Sequence, residues 1–251
     1  MRYCFIPARS GSERIVNKNM VKLGGFSLLE ITVRLALRST LFDRVFVTTD
    51  SSEYEKLAIS FGAESLCLRP SLISQSSSCD IEWVKYNHNY MISNGIEIPE
   101  SITILRPTSP FRSLSFIESG LALFEVNKNK IDSVRSVAKC KEHPAKMWVR
   151  AAGCDQLMYP LLPFGDELPW HSKPYRTLPE ILIQTASLEV FNVQSVLSVS
   201  SLAGVIVKPL ITNESDGFDI NLDEDLGFAE YLVAQNHPLI SNSFLMQELI
   251  T

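Results

Sequence analysis

Cysteine is scarce in this chain of 251 residues, and the few that occur form no recognisable framework. The five cysteines are an odd number, and no two of them make a Cys-x-x-Cys pair. Such a set suggests neither a disulfide network nor a thiolate zinc site, and it fits a reducing, cytoplasmic compartment. The residues concerned are Cys4, Cys67, Cys79, Cys140 and Cys154.

Long apolar runs are also missing. The first apolar stretch ends at Pro7, far short of a signal-peptide core, and no later run approaches the roughly 18 residues that a membrane span requires. The formal net charge of -5 argues against a general binder of nucleic acid or membrane surfaces. We therefore expect a soluble, unsecreted protein with no nucleic-acid or membrane partner, in which an anion site requires a local concentration of cations.

The glycine motifs of the common nucleotide folds do not follow the first apolar segment. Neither G-x-x-x-x-G-K-[ST] nor G-x-G-x-x-G is present. In their place stands a loop from Ala8 to Asn19, where small residues let backbone N–H groups approach an anion and three cations can neutralise it. This composition predicts a polyphosphate-binding loop, with a solvated basic surface loop as the alternative. The small residues are Ser10, Gly11 and Ser12, and the cations are Arg9, Arg14 and Lys18.

Apolar strands and helices alternate along the chain. In the first part of the chain we predict strands at Tyr3 to Ile6, Arg44 to Thr49, Glu64 to Leu68 and Ser101 to Leu105. Helices are predicted between them at Leu28 to Leu37, Ser52 to Phe61 and Asp80 to Ser93. Later strands are predicted at Ser133 to Ser136, Ser187 to Asn192 and Gly204 to Val207, and a last helix at Leu222 to Ala234. This pattern indicates an α/β fold, a Rossmann-like, mostly parallel sheet with helices on both faces and ligands at the carboxyl ends of the strands.

Residues 139–183 differ in kind from the rest. They carry six of the thirteen prolines and lack clear periodicity. Their tryptophan and tyrosine content favours an ordered lid or dimer-forming arm over a disordered insertion. We therefore treat residues 1–251 as a single domain with residues 139–183 inserted as this arm.

Three further segments follow predicted strands. Asp50 stands at the end of a strand. A carboxylate there can bind a ligand, either a metal or a hydroxyl group, or it can cap the next helix, and the sequence favours these two interpretations equally. The hydroxyl-rich segment Ser74 to Asp80 suits hydrogen bonding to a base edge and equally suits an ordinary surface loop. Two prolines fix a turn that serves for binding or as a stiff connection. That turn is expected to present outward Arg106, Thr108, Ser109 and Arg112.

Acidic side chains cluster near the end of the chain. Asp219 and Asn221 are two residues apart, so that on a short strand their side chains would share one face. Two oxygen ligands on one face suit a magnesium ion that also carries phosphate oxygens. The trio Asp223, Glu224 and Asp225 fits better as the cap and first turn of the following helix.

Taken together, these segments resemble the N-acylneuraminate cytidylyltransferase (CMP-sialic acid synthetase) family. The resemblance runs from Ile6 to about Glu230 and rests on several ordered motifs. They are A-R-x-G-S-x-x-x-x-x-K-N from Ala8, F-D-R-V-x-V-x-T-D from Phe42, L-R-P from Leu68, R-P-T-S-P-x-R from Arg106 and D-I-x-x-x-x-D-L-x-x-A-E from Asp219.

The resemblance implies an activity and partners. The fold would be of the nucleotide-diphospho-sugar transferase type, and the reaction would convert CTP and a 2-keto acidic nine-carbon sugar into CMP-sugar and pyrophosphate. The anomeric hydroxyl would attack the α-phosphate, with Mg²⁺ as cofactor. The arm would resemble the family's dimer-forming insertion, so a homodimer is expected.

The resemblance also implies roles for individual residues. Catalysis would rest on Arg9, Arg14, Lys18 and Asp219, and the metal would be held by Asp219 and Asn221. The nucleotide would be bound by Ala8, Arg9, Ser10, Gly11, Ser12, Asn19, Ser77, Ser78 and Asp80. The sugar would be bound by Arg106, Thr108, Ser109, Arg176 and Gln184.

Several positions depart from the family pattern. Glu13 stands where lysine is usual; we expect its side chain to face away from the ligand and Arg14 to supply the lost charge. Arg106 replaces a common glutamine and suits a sugar carboxylate. Asn221 replaces a frequent second metal aspartate, which would lower the charge of the metal site, and Thr185-Ala186-Ser187 replaces N-G-A.

Two alternatives stay open at the level of sequence. One is a catalytically silent nucleotide-binding homologue, which Glu13 and Asn221 favour. The other is an enzyme like the ketodeoxyoctonate cytidylyltransferases, which act on an eight-carbon acid. The sequence does not choose among neuraminic, legionaminic and pseudaminic acids, since the sugar contacts are expected largely in residues 139–183.

Overall fold

A computed structural model describes residues 1–151, 153, 157–163 and 168–250. Its contacts divide the chain into two compact units. The first combines Met1–Ser136 with Thr185–Thr251, and the second is Val137–Gln184. The predicted arm, residues 139–183, falls inside the second unit, and its role as a lid or dimerisation arm stays a prediction.

The described residues form eleven strands. In chain order they are β1 Arg2–Pro7, β2 Lys22–Leu23, β3 Phe26–Ser27, β4 Arg44–Thr48, β5 Glu64–Ser65, β6 Ser101–Ile104, β7 Ser133–Lys139, β8 Trp148–Arg150, β9 Met158–Pro160, β10 Leu182–Asn192 and β11 Val207–Ile211. Within the described part of the chain, seven of them make one sheet in the order β11-β7-β10-β6-β1-β4-β5. β1 is parallel to both neighbours, β4 and β6, and β5 is parallel to β4, whereas β10 runs antiparallel to β6.

Seven helices occur among the same described residues. They are α1 Leu28–Arg38, α2 Ser52–Ser60, α3 Asp80–Ser93, α4 Leu114–Asn127, α5 Val193–Val199, α6 Asp223–Ala234 and α7 Phe244–Ile250. Serine caps begin three of them, because the Oγ atoms of Ser27, Ser51 and Ser113 accept the N–H of the residue three positions on.

Apolar side chains cover both faces of the sheet, as β1 illustrates. Cys4 and Ile6 pack into one buried cluster with residues of α1, α4 and α6, whereas Tyr3 and Phe5 pack into a second cluster with Trp83 of α3. Alternate residues of a strand point to opposite faces, so β1 is buried on both sides. The predicted α/β fold, a mostly parallel sheet with helices on both faces, is therefore confirmed.

The second unit is built from short elements. Strands β8 and β9 pair antiparallel, with Val149 opposite Tyr159. The Nε2 atom of His143 hydrogen-bonds the carbonyl of Pro179 at 2.9 Å, and Lys146 Nζ donates to the carbonyls of His171 and Lys173. Across the described residues of both units, we find no helix that combines the length and apolarity of a membrane span.

Candidate active site

The basic loop after β1 is held in place by Asp50. The backbone N–H and the hydroxyl of Ser10 donate to the two carboxylate oxygens of Asp50, each at 2.8 Å. Ala8 continues the strand pairing, since its N–H donates to the Thr48 carbonyl at 3.0 Å. The predicted alternative that Asp50 caps the next helix is wrong, because Ser51 is the N-cap of α2. Asp50 instead fixes the start of the loop against the end of β4.

The far end of the loop is anchored by two residues. Asn19 is buried, and its Nδ2 donates to the Arg9 carbonyl at 2.9 Å, so its side chain closes the loop on itself. Lys18 Nζ donates to the Ile220 carbonyl at 2.9 Å and thereby ties the loop to the segment that carries Asp219. Burial lowers the pKa of Lys18, an effect that the charge of Asp219 partly offsets.

A cleft of about 350 Å³ opens beside this loop, at the carboxyl end of β1. Five of its lining residues are cations and two are carboxylates, so the wall has an excess of positive charge that favours an anionic ligand. The cations are Arg9, Arg14, Lys18, Arg69 and Arg106, the carboxylates are Glu13 and Asp80, and the other lining residues include Ser12, Asn19, Ser76 and Thr108.

Glu13 is thus part of the cleft wall. The backbone passes beside the cleft from Ser12 to Arg14, and both neighbours of Glu13 also line it. That the Glu13 side chain turns away from a bound ligand stays a prediction. Glu13 and Arg14 are exposed, so the two opposite charges sit side by side at the cleft in water.

Arg69 is a site residue to which the sequence analysis gave no role. It is 7% exposed, and its Nε and Nη2 donate to the hydroxyl and carbonyl of Thr48 at 2.9 and 2.8 Å. Its guanidinium lies over the Trp83 ring, 4.9 Å from the centroid. Burial lowers the pKa of Arg69 to about 10. The L-R-P motif could have pointed to Arg69 in the sequence, because it places this arginine shortly after β5.

The serine segment contributes a different residue from those expected. Ser76 lines the cleft, whereas Ser77 is exposed and neither it nor Ser78 is among the lining residues. The Ser78 hydroxyl closes its own turn by accepting the Gln75 N–H and donating to the Leu72 carbonyl. The predicted nucleotide contacts of Ser77 and Ser78 stay predictions, and Ser76 is the serine of this segment that lines the cleft.

Arg106 lies in a cluster of four charged side chains. Its Nη2 is 2.7 Å from Asp80 Oδ2 and 2.7 Å from Glu189 Oε1, and Glu189 Oε2 is 2.9 Å from Arg135 Nη1. Burial by itself would lower the pKa of Arg106, but the charges of Glu189 and Asp80 raise it above its ordinary value. Burial would likewise raise the pKa of Asp80, but Arg106 holds it below its usual range.

The turn after β6 is only partly directed toward the cleft. Thr108 lines the cleft, and its carbonyl accepts the Ile220 N–H at 2.8 Å. Ser109 and Arg112 are 1% and 0% exposed, so the expectation that they point outward is wrong, and Ser109 is not among the cleft residues. The Arg112 guanidinium turns inward to donate to the Arg106 carbonyl, and burial lowers its pKa to about 10.

Asp219 and Asn221 lie together, although their segment is not a strand as predicted. Asn221 Nδ2 donates to Asp219 Oδ2 at 2.8 Å, so the two side chains do share one side of the chain, with Ile220 buried between them. Asp219 Oδ1 is buried and has no hydrogen-bond partner among the described residues. Asp225 Oδ2 accepts the N–H groups of Asn221 and Leu222, each at 2.8 Å, which confirms the acidic trio as the start of a helix, α6.

The described part of the chain holds no group of three or more His, Cys, Asp or Glu side chains that could bind a metal ion by itself. A divalent cation at Asp219 would therefore need further oxygen ligands from a bound phosphate. The last two predicted sugar residues, Arg176 and Gln184, lie in the second unit and are exposed, and their roles stay predictions.

A mostly parallel α/β sheet with a cation-rich cleft at the carboxyl end of one of its parallel strands is typical of nucleotide-binding proteins. The same fold occurs in CMP:2-keto-3-deoxy-manno-octonic acid synthetase, solved in complex with CTP, with a TM-score of 0.64 over 94% of this chain and 99% of that one. At 13% identity, this likeness concerns the fold alone.

Sequence comparisons identify a family and individual proteins to which the chain is similar. The family described as cytidylyltransferase matches residues 3–108. N-acylneuraminate cytidylyltransferase of Escherichia coli O18:K1:H7 is 40% identical over 120 residues, which are 48% of this chain and 27% of that protein. CMP-N,N'-diacetyllegionaminic acid synthase of Legionella pneumophila is 29% identical over 234 residues, 92% of this chain and 95% of that one.

These matches confirm the resemblance to cytidylyltransferases that the sequence motifs indicated. Over residues 3–108 the chain matches the cytidylyltransferase family, and it is similar to N-acylneuraminate cytidylyltransferase and to CMP-N,N'-diacetyllegionaminic acid synthase. It spans about a quarter of the length of the Escherichia coli relative and nearly the whole length of the Legionella one.

Proposed function

We propose that this protein activates a nonulosonic acid by converting CTP and the 2-keto acidic sugar into CMP-sugar and pyrophosphate. The observation that carries the proposal is the cleft beside the Asp50-anchored loop, where five cationic side chains meet at the carboxyl end of the parallel strand β1. A triphosphate and a sugar carboxylate together are the kind of polyanion that such a wall neutralises. We further propose that the protein acts as a cytoplasmic homodimer.

The proposed reaction asks mainly for positioning and charge neutralisation. The anomeric hydroxyl of the sugar loses its proton to solvent as its oxygen forms a bond to the α-phosphorus. The bond from that phosphorus to the bridging oxygen breaks and releases pyrophosphate. Arg9, Arg14 and Lys18 would hold the β- and γ-phosphates and stabilise the charge that develops on the leaving group. Arg69 would add a cation whose position is fixed in advance by Thr48.

Mg²⁺ is the cofactor that we propose for this site. The fit rests on Asp219, whose Oδ1 is buried without a hydrogen-bond partner among the described residues, and on Asn221 beside it. When bound with the phosphates, the ion would neutralise part of their charge. Asn221 directs its amide nitrogen to Asp219, which leaves its Oδ1 as the atom that could ligate an ion.

One assay tests the proposed function. The protein is incubated with CTP, Mg²⁺ and, separately, neuraminic, legionaminic, pseudaminic and ketodeoxyoctonic acids, and pyrophosphate is followed. We expect release with at least one nine-carbon acid and little with the eight-carbon acid. Binding of CTP without release from any sugar would favour the silent homologue, and release only with ketodeoxyoctonic acid would favour the alternative enzyme. ATP in place of CTP serves as the nucleotide control.

Replacing Asp50 with alanine is expected to weaken CTP binding, because both hydrogen bonds that hold Ser10 are lost. A hydrogen bond to a charged group contributes about 1.5 to 3 kcal/mol, so we expect the KM for CTP to rise at least about tenfold. Steady-state kinetics at saturating sugar measure this change. Ser51→Ala, which removes only the cap of α2, is the matched control, and an equal effect in both variants would show that loop anchoring is not the cause.

Replacing Glu13 with glutamine is expected to improve CTP binding, because the substitution removes a negative charge from the cleft wall. The repulsion is of the order of 1 kcal/mol in water, so the KM for CTP should fall about fivefold. The effect should shrink as salt is added. An unchanged KM would indicate that the neighbouring Arg14 already neutralises Glu13, and Arg14→Gln measured in both backgrounds separates these cases.

A further inference from the structure

Glu189 is a buried carboxylate in the middle of the sheet. It lies on β10 opposite Ile104 of β6, and its side chain is 2% exposed. Its neighbours Leu188 and Val190 belong to the buried apolar cluster, and Glu189 points to the opposite face because side chains alternate along a strand. A buried charge is costly unless it is paired, so a carboxylate at this position calls for a reason.

The sheet order explains how Glu189 is paired. β10 lies between β7, which carries Arg135, and β6, which leads into Arg106. One oxygen of Glu189 meets Arg106 at 2.7 Å and the other meets Arg135 at 2.9 Å. The carboxylate therefore joins a cleft residue to a nearly buried arginine behind it.

Arg106 keeps part of its guanidinium for a ligand. Both of its ion pairs, to Asp80 and to Glu189, use Nη2. Nε and Nη1 are committed to neither carboxylate, and Arg106 is among the residues that line the cleft. Each of these two nitrogens can still donate a charge-assisted hydrogen bond to a carboxylate oxygen.

The pairing is arranged for geometry more than for stability. Arg135 Nε is buried and finds no hydrogen-bond partner among the described residues, so the cluster leaves one buried donor unsatisfied. Apolar side chains in these positions would pack at no such cost. We propose that Glu189 is a positioning residue, which holds Arg106 by Nη2 so that its remaining Nε and Nη1 donors bind the carboxylate of the acidic sugar.

This inference rests on the proposed function, and kinetics of Glu189→Gln test it. The substitution adds a net positive charge near the cleft, which on electrostatic grounds alone would lower the KM for an acidic sugar. Loss of positioning has the opposite sign. We expect the KM for the sugar to rise about tenfold, with kcat and the KM for CTP each changed less than about twofold. An unchanged or lower KM for the sugar would overturn the proposal.

A double-mutant cycle separates positioning from general destabilisation. If Glu189 acts through Arg106, Glu189→Gln should have no further effect on the KM for the sugar once Arg106 is replaced by glutamine. Additive effects would contradict the proposal. Glu64→Gln, which breaks an ion pair with Arg44 on the other side of the sheet, is the control and should leave all constants unchanged.

A crystal structure of the Glu189→Gln protein decides the geometric claim independently of turnover. We expect the Arg106 guanidinium to leave the position that it occupies beside Asp80, and an unmoved guanidinium would refute positioning. A wild-type protein that releases no pyrophosphate from any acidic sugar would refute the proposed function instead. The two failures are therefore distinguishable.

Discussion

Pyrophosphate release is expected to fall by about 1,000-fold when Asp219 is replaced by alanine, while the fold stays intact. Asp219 offers a carboxylate oxygen that no described residue hydrogen-bonds, and it lies beside Lys18, which ties the basic loop to its segment. Removing a preorganised charge from a phosphoryl-transfer site costs about 100- to 1,000-fold or more in rate. Circular dichroism and the initial rate of pyrophosphate release, measured over a range of Mg²⁺ concentrations, test this result.

Two comparisons make the Asp219 experiment specific. Asp223→Ala removes a nearby but exposed carboxylate from the first turn of α6 and should leave the rate within about twofold. Near-normal turnover of Asp219→Ala in saturating Mg²⁺ would remove Asp219 from the metal site. If Asn221→Asp reaches its full rate at a lower Mg²⁺ concentration than the wild type does, Asn221 is supported as the second residue of the metal site.

Replacing Lys18 with methionine is expected to lower kcat/KM for CTP by about 100-fold. The substitution keeps most of the side-chain volume but removes a cation from the cleft wall. It also removes the donor that reaches the Ile220 carbonyl at 2.9 Å, so the loop and the Asp219 segment lose their direct connection. Steady-state kinetics with varied CTP, together with a thermal melt to compare stability, measure the two consequences separately.

The pH profile supplies the control for Lys18. Because burial lowers the pKa of Lys18, the wild-type rate should decline with rising pH before an ordinary lysine, of pKa 10.5, would lose its proton. The ordinary pKa of an arginine is at least about two units above that of a lysine, so Lys18→Arg should keep activity to higher pH even if its maximum rate is lower. Identical alkaline limbs in the two proteins would mean that another group controls this limb.

Local signals were strong enough to predict several elements closely. Helix α3 was predicted at its observed bounds, Asp80–Ser93, and α1 was predicted one residue short of its end. The strand predicted at Gly204 to Val207 was placed too early, because β11 begins at Val207 and Asp132 Oδ2 accepts the N–H groups of Val205 and Ile206 before it. Only a partner 73 residues away in the chain reveals this.

Helix α4 was not predicted, although its signal exists. Its buried side chains have the spacing of one helix face, and an exposed Val126 on the same helix blurs the contrast between faces. The buried residues are Phe116, Ile117, Gly120, Leu121 and Phe124. Exposed apolar residues are common on protein surfaces, so periodicity alone does not identify every helix.

The amino-acid sequence by itself determined the class of fold, the basic loop at the end of the first strand and the relationship to cytidylyltransferases. These follow from local alternation of strands and helices and from short ordered motifs. The tertiary structure decided which side chains share the cleft: Glu13, Arg69 and Ser76 line it, Ser109 and Arg112 are buried, and two residues on separate strands, Glu189 and Arg135, stand behind Arg106. Burial and ion pairing depend on neighbours brought together from distant parts of the chain, and no local pattern encodes them.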